Sequence, residues 1–147
     1  MNIFINVFPA TLLESSFYIL LQRMNSFIDT DSRNIVFELN EVEKDMDLSK
    51  IKLVVNEIRK KGFLIALDDI GKGESTLKSI LEIKPDIAKV DKHFAKDLAE
   101  SPKKQKALKL ILNLFGGDTE VILEGFESKA DLDIEKDMGV SLGRAFY

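Results

Sequence analysis

Two adjacent aspartates, Asp68 and Asp69, stand between the apolar run FLIAL (63–67) and Gly71. Like charges at neighbouring positions repel, so a strand that ends on such a pair calls for a cation, a shared proton or plain solvent. Other residues of the same kind sit in comparable places, each in or after a β-favouring apolar run: Asn6 in INV, Glu38 in VFELN, Lys89 in IAKVD and Glu124 in VILEGF. Asn6, Glu38, Asp68, Asp69 and Glu124 make an oxygen-only set, which suits Mg²⁺ or Mn²⁺ and not zinc. Four clustered carboxylates do not all stay ionised without positive charge among them. Two such ions ~3.5–4 Å apart activate water and clamp the displaced oxygens in phosphoester hydrolysis, with Asp68 placed to bridge them. Lys89 in that setting holds the attacking water or a phosphate oxygen, or accepts a proton if its pKa is depressed.

Each residue also has a plainer use. An Asp-Asp pair can be a solvated turn, Lys89 can neutralise Asp91, and Asn6 can cap the next helix. His93, the only histidine, reads as a surface or helix-start residue. The acid–base runs EVEKDMD and DLDIEKD read as solvated faces. Glu38 is hardest to dismiss, because an unpaired carboxylate in an apolar strand is costly. The chemistry rests on all of them reaching one place.

The chain that must bring them there alternates in pattern. Short apolar runs at 3–7, 34–39, 63–68, 85–90 and 119–126 read as strands, and VSLG (140–143) as the start of a sixth. Between them lie helical periodicities at 10–27, 47–62, near 74–82, 101–117 and 128–139. Gly62 is placed to stop the second of these, and Ser101 followed by Pro102 to start the fourth. Strand–helix alternation with nearly continuous apolar strands predicts βα units and a parallel sheet buried on both faces. The pattern leaves open a doubly wound sheet or part of a (β/α) barrel. In either, sites lie at the carboxyl ends of strands, where the polar residues fall.

Composition narrows the function. The 147 residues carry a net charge of −4 with acids and bases interspersed, so no field is present to hold a nucleic-acid polymer. Cysteine is absent, which removes disulfides, thiol catalysis and Cys-based zinc sites. No stretch approaches the ~20 apolar residues of a membrane helix, and the N-terminal segment lacks the basic region of a signal peptide. The expectation is a cytoplasmic protein without membrane insertion.

The same segments resemble the EAL-type cyclic di-GMP phosphodiesterases of bacteria. INVFP is similar to that family's Asn-bearing strand, FELNE to its Glu-x-x-Glu segment, and ALDDIGKGESTL to its Asp-Asp-Phe-Gly segment. KPDIAKVDKHF is similar to the Lys-Ile-Asp segment and ILEGFES to Glu-Gly-Val-Glu, while GVSLGRAFY falls where the family has Gln-Gly-Tyr. The resemblance implies a TIM-type (β/α) barrel using two Mg or Mn ions to hydrolyse cyclic di-GMP to pGpG. Carried over by position, Asn6, Glu38 and Asp68 would bind metal, and Asp69 and Glu124 would complete the second metal site. Lys89 would contact the nucleophilic water, and Glu41 would steady the loop after the Asp pair.

Three departures shape the expectation. The Glu-Ala-Leu segment, with its metal-binding Glu and phosphate-binding Arg, has no counterpart here. The alignment puts Leu142 in place of the Gln, and Ile70 in place of the Phe. A full barrel takes ~200–250 residues, so residues 1–147 are expected to form roughly the C-terminal two-thirds of an EAL-like domain, an incomplete barrel. The implied function is a degenerate domain of cyclic di-GMP signalling, without hydrolysis as the chain stands, acting as a regulatory or interaction module. Cyclic di-GMP would bind weakly, and self-association or a protein partner would cover the open edges. The alternative is a fragment of an active Mg/Mn-dependent phosphodiesterase.

Overall fold

A computed structural model describes residues 2–24, 34–40, 45–72, 76–140 and 142–145, the last four as backbone. In chain order the elements are β1 (Asn2–Val7), α1 (Pro9–Leu12), α2 (Ser15–Met24), β2 (Asn34–Leu39), α3 (Leu48–Lys60), β3 (Leu64–Ile70) and α4 (Thr76–Ile83). Then follow β4 (Ile87–Val90), a 3₁₀ turn at Lys92–Phe94, α5 (Pro102–Leu112), β5 (Glu120–Phe126), α6 (Lys129–Asp137) and β6 (Leu142–Ala145). The strands form one sheet in the order β1-β2-β3-β4-β5-β6, every pair parallel. An order that never reverses has no switch point, which rules out the doubly wound alternative. The progression is that of a (β/α) barrel, and the sheet is not closed: β1 and β6 are its edges.

Strand alternation divides the side chains between two faces. Phe37, Leu39, Ile65, Leu67, Ala88, Val90, Val121 and Leu123 face the helices and form the main core with Ile51, Val55, Ile58 and Leu108. The other face carries a small second cluster, Val36, Ala66, Ile87 and Ile122, with Phe4 and Leu64 packed on it. It is the inner layer beneath the polar residues. Phe37 anchors β2 to the helical side through edge-on contacts with Phe17 and Phe63, ring centres 5.7 and 5.5 Å apart.

Local signals act as their chemistry dictates. Asp47 caps α3 through Ser49 N–H, and Ser101 caps α5 through Lys104 N–H. Gly62, at φ +87°, ends α3 with Gly62 N–H on Arg59 O and Phe63 N–H on Ile58 O, the paired bonds of a left-handed helix stop. Just before it, the Arg59 guanidinium donates to the Asp86 carboxylate and to the Ile83 and Lys84 carbonyls. Asp86 also accepts from Ile65 N–H, so one ion pair joins α3, β3 and the approach to β4.

Several expectations need correction. The helix predicted at 10–27, whose last three residues lie outside the described ones, breaks at Leu13–Glu14 into α1 and α2. Leu12 and Phe17 are five apart, too far to share one face of an unbroken helix, and the break lets both reach the core. α5 stops at Leu112, where Asn113 caps it, short of the expected 117. β3 runs on to Ile70, so Asp68 and Asp69 are strand residues and not a solvated turn. DLDIEKD is no solvated face: Asp131 and Glu135 are buried. Asp131 accepts from Ala99 N–H and from the Ser128 hydroxyl, and Glu135 lies one turn further along α6. Among the described residues no helix is long and apolar enough to cross a membrane.

Candidate functional site

Inward-facing positions at the carboxyl edge of the sheet carry the polar residues. The Lys89 ammonium, on β4, donates to Glu38 Oε2 on β2 at 3.0 Å and lies 3.3 Å from Glu124 Oε1 on β5. It also sits 5.4 Å above the centre of the Phe4 ring on β1, within range of a cation–π attraction. Glu38 and Lys89 are nearly excluded from solvent, and Glu124 is partly open to it. Asp68 of β3 lies beside Glu38, close enough to push the Glu38 pKa upward. Asp68 Oδ1 accepts from Asp69 N–H at 2.8 Å.

Electrostatics follow from this packing. Burial raises the Glu38 pKa above the ordinary carboxylate value; the Lys89 hydrogen bond opposes that, and Asp68 adds to it. Burial works against the charge on Lys89, but the Glu38 hydrogen bond and the fields of Asp68, Glu38 and Glu124 together outweigh it. The ammonium is held above its usual pKa. Lys89 is therefore a fixed cation and not a poised base.

The structure brings together Glu38, Asp68, Lys89 and Glu124. Asn6 is level with Glu38 in the parallel register but is exposed on the edge strand. It does not cap α1, which starts after Phe8 with no side-chain cap. Asp69, at φ +53°, turns to the rim and pairs with the exposed Lys72 at 3.9 Å. Lys89 does not neutralise Asp91; that carboxylate caps the 3₁₀ turn through His93 N–H. His93 is an exposed turn residue, as expected. Glu41 lies outside the described residues. A cleft of about 520 Å³ opens beside these groups, lined by Asp68, Asp69, Lys72, Lys92, Glu124 and Glu127 among others.

Sequence reasoning missed two residues. Asn40, two beyond Glu38, has its Oδ1 buried with no hydrogen-bond partner. Phe4, two before Asn6, lies under the Lys89 ammonium. Counting in steps of two from Asn6 and Glu38 finds both.

Two glycines clamp the 3₁₀ turn against the site. Gly71, at φ +98°, has Phe94 so close that a Cβ would come within 2.3 Å of Cε2 of the ring. At Gly125, φ +85°, a Cβ would meet Lys92 Cβ at 2.5 Å. The turn thus packs against the ends of β3 and β5, next to Asp68 and Glu124. Gly71→Ala combines backbone strain with overpacking and is expected to cost about 2–4 kcal/mol. A thermal melt checks it: a midpoint about 5–10 °C lower agrees, and an unchanged midpoint shows the turn is not clamped.

Whether these residues suit a divalent metal is answered by their chemistry and arrangement. The donors are all oxygen, and the orphaned Asn40 Oδ1 is one more of the right kind. Their arrangement is otherwise: the Lys89 ammonium bridges Glu38 and Glu124. Among the described residues no three acidic side chains come together at metal-binding spacing. As arranged, they do not form a resident metal centre.

Comparison with known proteins gives one answer. The sequence model of the EAL domain family matches residues 1–146. The cyclic di-GMP phosphodiesterase PA2567 of Pseudomonas aeruginosa is 28% identical over 143 residues, 97% of this chain and 24% of that protein. The chain thus spans about a quarter of this curated relative's length. The crystal structure of the EAL domain of Mycobacterium smegmatis DcpA superposes with a TM-score of 0.84 at 23% identity, covering 97% of this chain and 65% of that one. The EAL enzyme Bd1971, in its cAMP- and cyclic di-GMP-bound form, gives a TM-score of 0.83 at 26% identity over 97% of this chain and 38% of its own. With its parallel βα progression and the family match along nearly all its length, this chain belongs to the EAL domain family.

Proposed function

We propose that this chain is an EAL module of cyclic di-GMP signalling that binds the dinucleotide through its inner polar layer and, as it stands, does not hydrolyse it. One observation carries the reading: Lys89 Nζ lies 3.0 Å from Glu38 and 3.3 Å from Glu124, so an ammonium bridges two carboxylates that a hydrolytic metal pair would need. Without that pair, no group among the described residues generates a hydroxide nucleophile at neutral pH. The cleft of about 520 Å³ beside Glu124 is of a size to take a nucleotide, and its lysines Lys72 and Lys92 offer charge to phosphate. Such a module works in the cytoplasm as a sensor or interaction partner, through self-association or a protein that covers the free edges of β1 and β6.

The convergence of Glu38, Asp68, Lys89 and Glu124 favours a second reading, part of an Mg- or Mn-dependent phosphodiesterase. Incubating the purified chain with cyclic di-GMP and Mn²⁺, then separating products by chromatography, divides the two. The proposed reading expects no pGpG above a protein-free control. Turnover near the ~1 s⁻¹ lower end of ordinary enzymes would replace it with the second.

A further inference from the structure

At the amino ends of β4 and β5, opposite the polar layer, the surface holds a cleft of about 420 Å³. One wall is the last turn of α4, with Leu81; the other is the turn that follows α5, with Leu114 and Phe115. The floor is tied from side to side. The Thr119 hydroxyl donates to the Pro85 carbonyl at 2.8 Å, and Glu120 N–H donates to the Asp86 carbonyl at 2.9 Å. The cleft stays open because α4 and α5, unlike α3 and α4, scarcely touch among the described residues. α5 packs instead on the segment before it, where Gln105 donates to the Leu98 carbonyl and Lys104 to the Lys96 carbonyl.

Apolar side chains around the cleft face solvent. Leu81 is 56% exposed, Leu114 38%, and Leu110, four residues before Leu114, 62%. Leucines left open at a concave place mark a surface that another molecule covers. The charge beside them is positive. Residues 101–117 hold four lysines and no acid, in a chain of net charge −4. Lys103 and Lys106 are exposed and share the outward stripe of α5 with Leu110, at spacings of three and four residues. Lys84 completes the rim. It ends α4 at φ +50°, with its N–H on the Ile80 carbonyl at 3.0 Å. Glycine makes such a left-handed stop without strain; lysine there brings an ammonium to the cleft it lines. Among the described residues none of these three lysines has an acidic partner.

We propose that this cleft docks an acidic amphipathic segment of a protein partner. Its apolar side chains fill the space between Leu81, Leu114 and Phe115, and its carboxylates meet Lys84, Lys103 and Lys106. A flat anionic bilayer fits less well, because the apolar wall is recessed and Asp86 and Asp118 line the same space. A peptide sets its acids beside the lysines and away from those carboxylates. The assignment does not depend on nucleotide binding.

Panning a phage library of random peptides against the purified chain tests it. Enriched sequences are expected to combine Asp or Glu with two or more apolar residues. As synthetic peptides they should bind Leu81→Asp with Leu114→Asp, and Lys84→Glu with Lys106→Glu, at least tenfold more weakly than wild type, and should weaken further in high salt. These four side chains are exposed, so both variants should melt with wild type. If either melts early, Leu81→Ser with Leu114→Ser, or Lys84→Gln with Lys106→Gln, gives the same reading. A library that yields no binder overturns the proposal, as do enriched peptides without net negative charge or peptides that bind the variants as tightly as wild type. Co-sedimentation with phosphatidylglycerol vesicles that the double leucine variant loses would assign the face to a membrane instead. A dimer that this variant dissolves would assign it to a second copy of the chain.

Discussion

Lys89→Met is expected to destabilise the fold by about 3–5 kcal/mol at neutral pH, the penalty for stranding a buried partner. Glu38 loses its ammonium in a site almost closed to water, and Glu124 loses the same neutralising charge. Methionine keeps the length and the apolar stem, so packing against Phe4 survives and the loss is electrostatic. The acids left behind have one remedy, a cation from solution. Mg²⁺ is expected to restore part of the stability of Lys89→Met while moving wild type little, because in wild type the ammonium already sits between the carboxylates. Urea melts with and without Mg²⁺ read both effects. A variant as stable as wild type would show that the ammonium does not hold these acids. A wild type stabilised by Mg²⁺ as strongly as the variant would show that metal and lysine do not compete.

Glu135→Leu is expected to stabilise the protein, and only at higher pH. The Glu135 carboxylate is 1% exposed and neither oxygen has a hydrogen-bond partner. Burial pushes its pKa from 4.5 up to about 7, against a small opposing effect of Lys136. The folded state therefore keeps a proton that the unfolded chain releases. Stability from this group is intact below pH 4.5, falls as pH rises toward 7, and is lost above it; the whole change is worth about 3 kcal/mol. Leucine carries no charge to bury, so the variant should exceed wild type by about that amount at pH 8 and by less than about 1 kcal/mol near pH 4.5. Urea melts at the two pH values check this. A gain of equal size at both would mean that packing, not ionisation, sets the difference.

The arrangement of elements was legible because the strands are apolar runs with glycine and serine punctuation, and both signals act locally. Gly62 and the Ser101–Pro102 pair mark helix ends with little help from tertiary structure. The break at Leu13–Glu14 was not legible, since it serves the joint burial of Leu12 and Phe17, which depends on where the sheet lies. The run DLDIEKD misled because its acids look exposed by composition; Asp131 is buried by bonds to Ala99 and Ser128. At the site, Glu38 announced itself as a carboxylate in an apolar strand, and its partner was found on β4. The partner choice of Lys89 was not legible, because Asp91 is nearer in sequence and Glu38 is nearer in space.

The central claim is that cyclic di-GMP binds where Glu38, Asp68, Lys89 and Glu124 meet. Amide ¹H–¹⁵N spectra recorded during titration with cyclic di-GMP test it most directly, because they locate a ligand without assuming turnover. The account predicts saturable shifts at Glu38, Asp68, Asp69, Lys89 and Glu124. Shifts confined to the opposite end of the sheet, in a cleft lined by Leu81, Pro85, Asp86 and Phe115, or no saturable shifts at all, would contradict it.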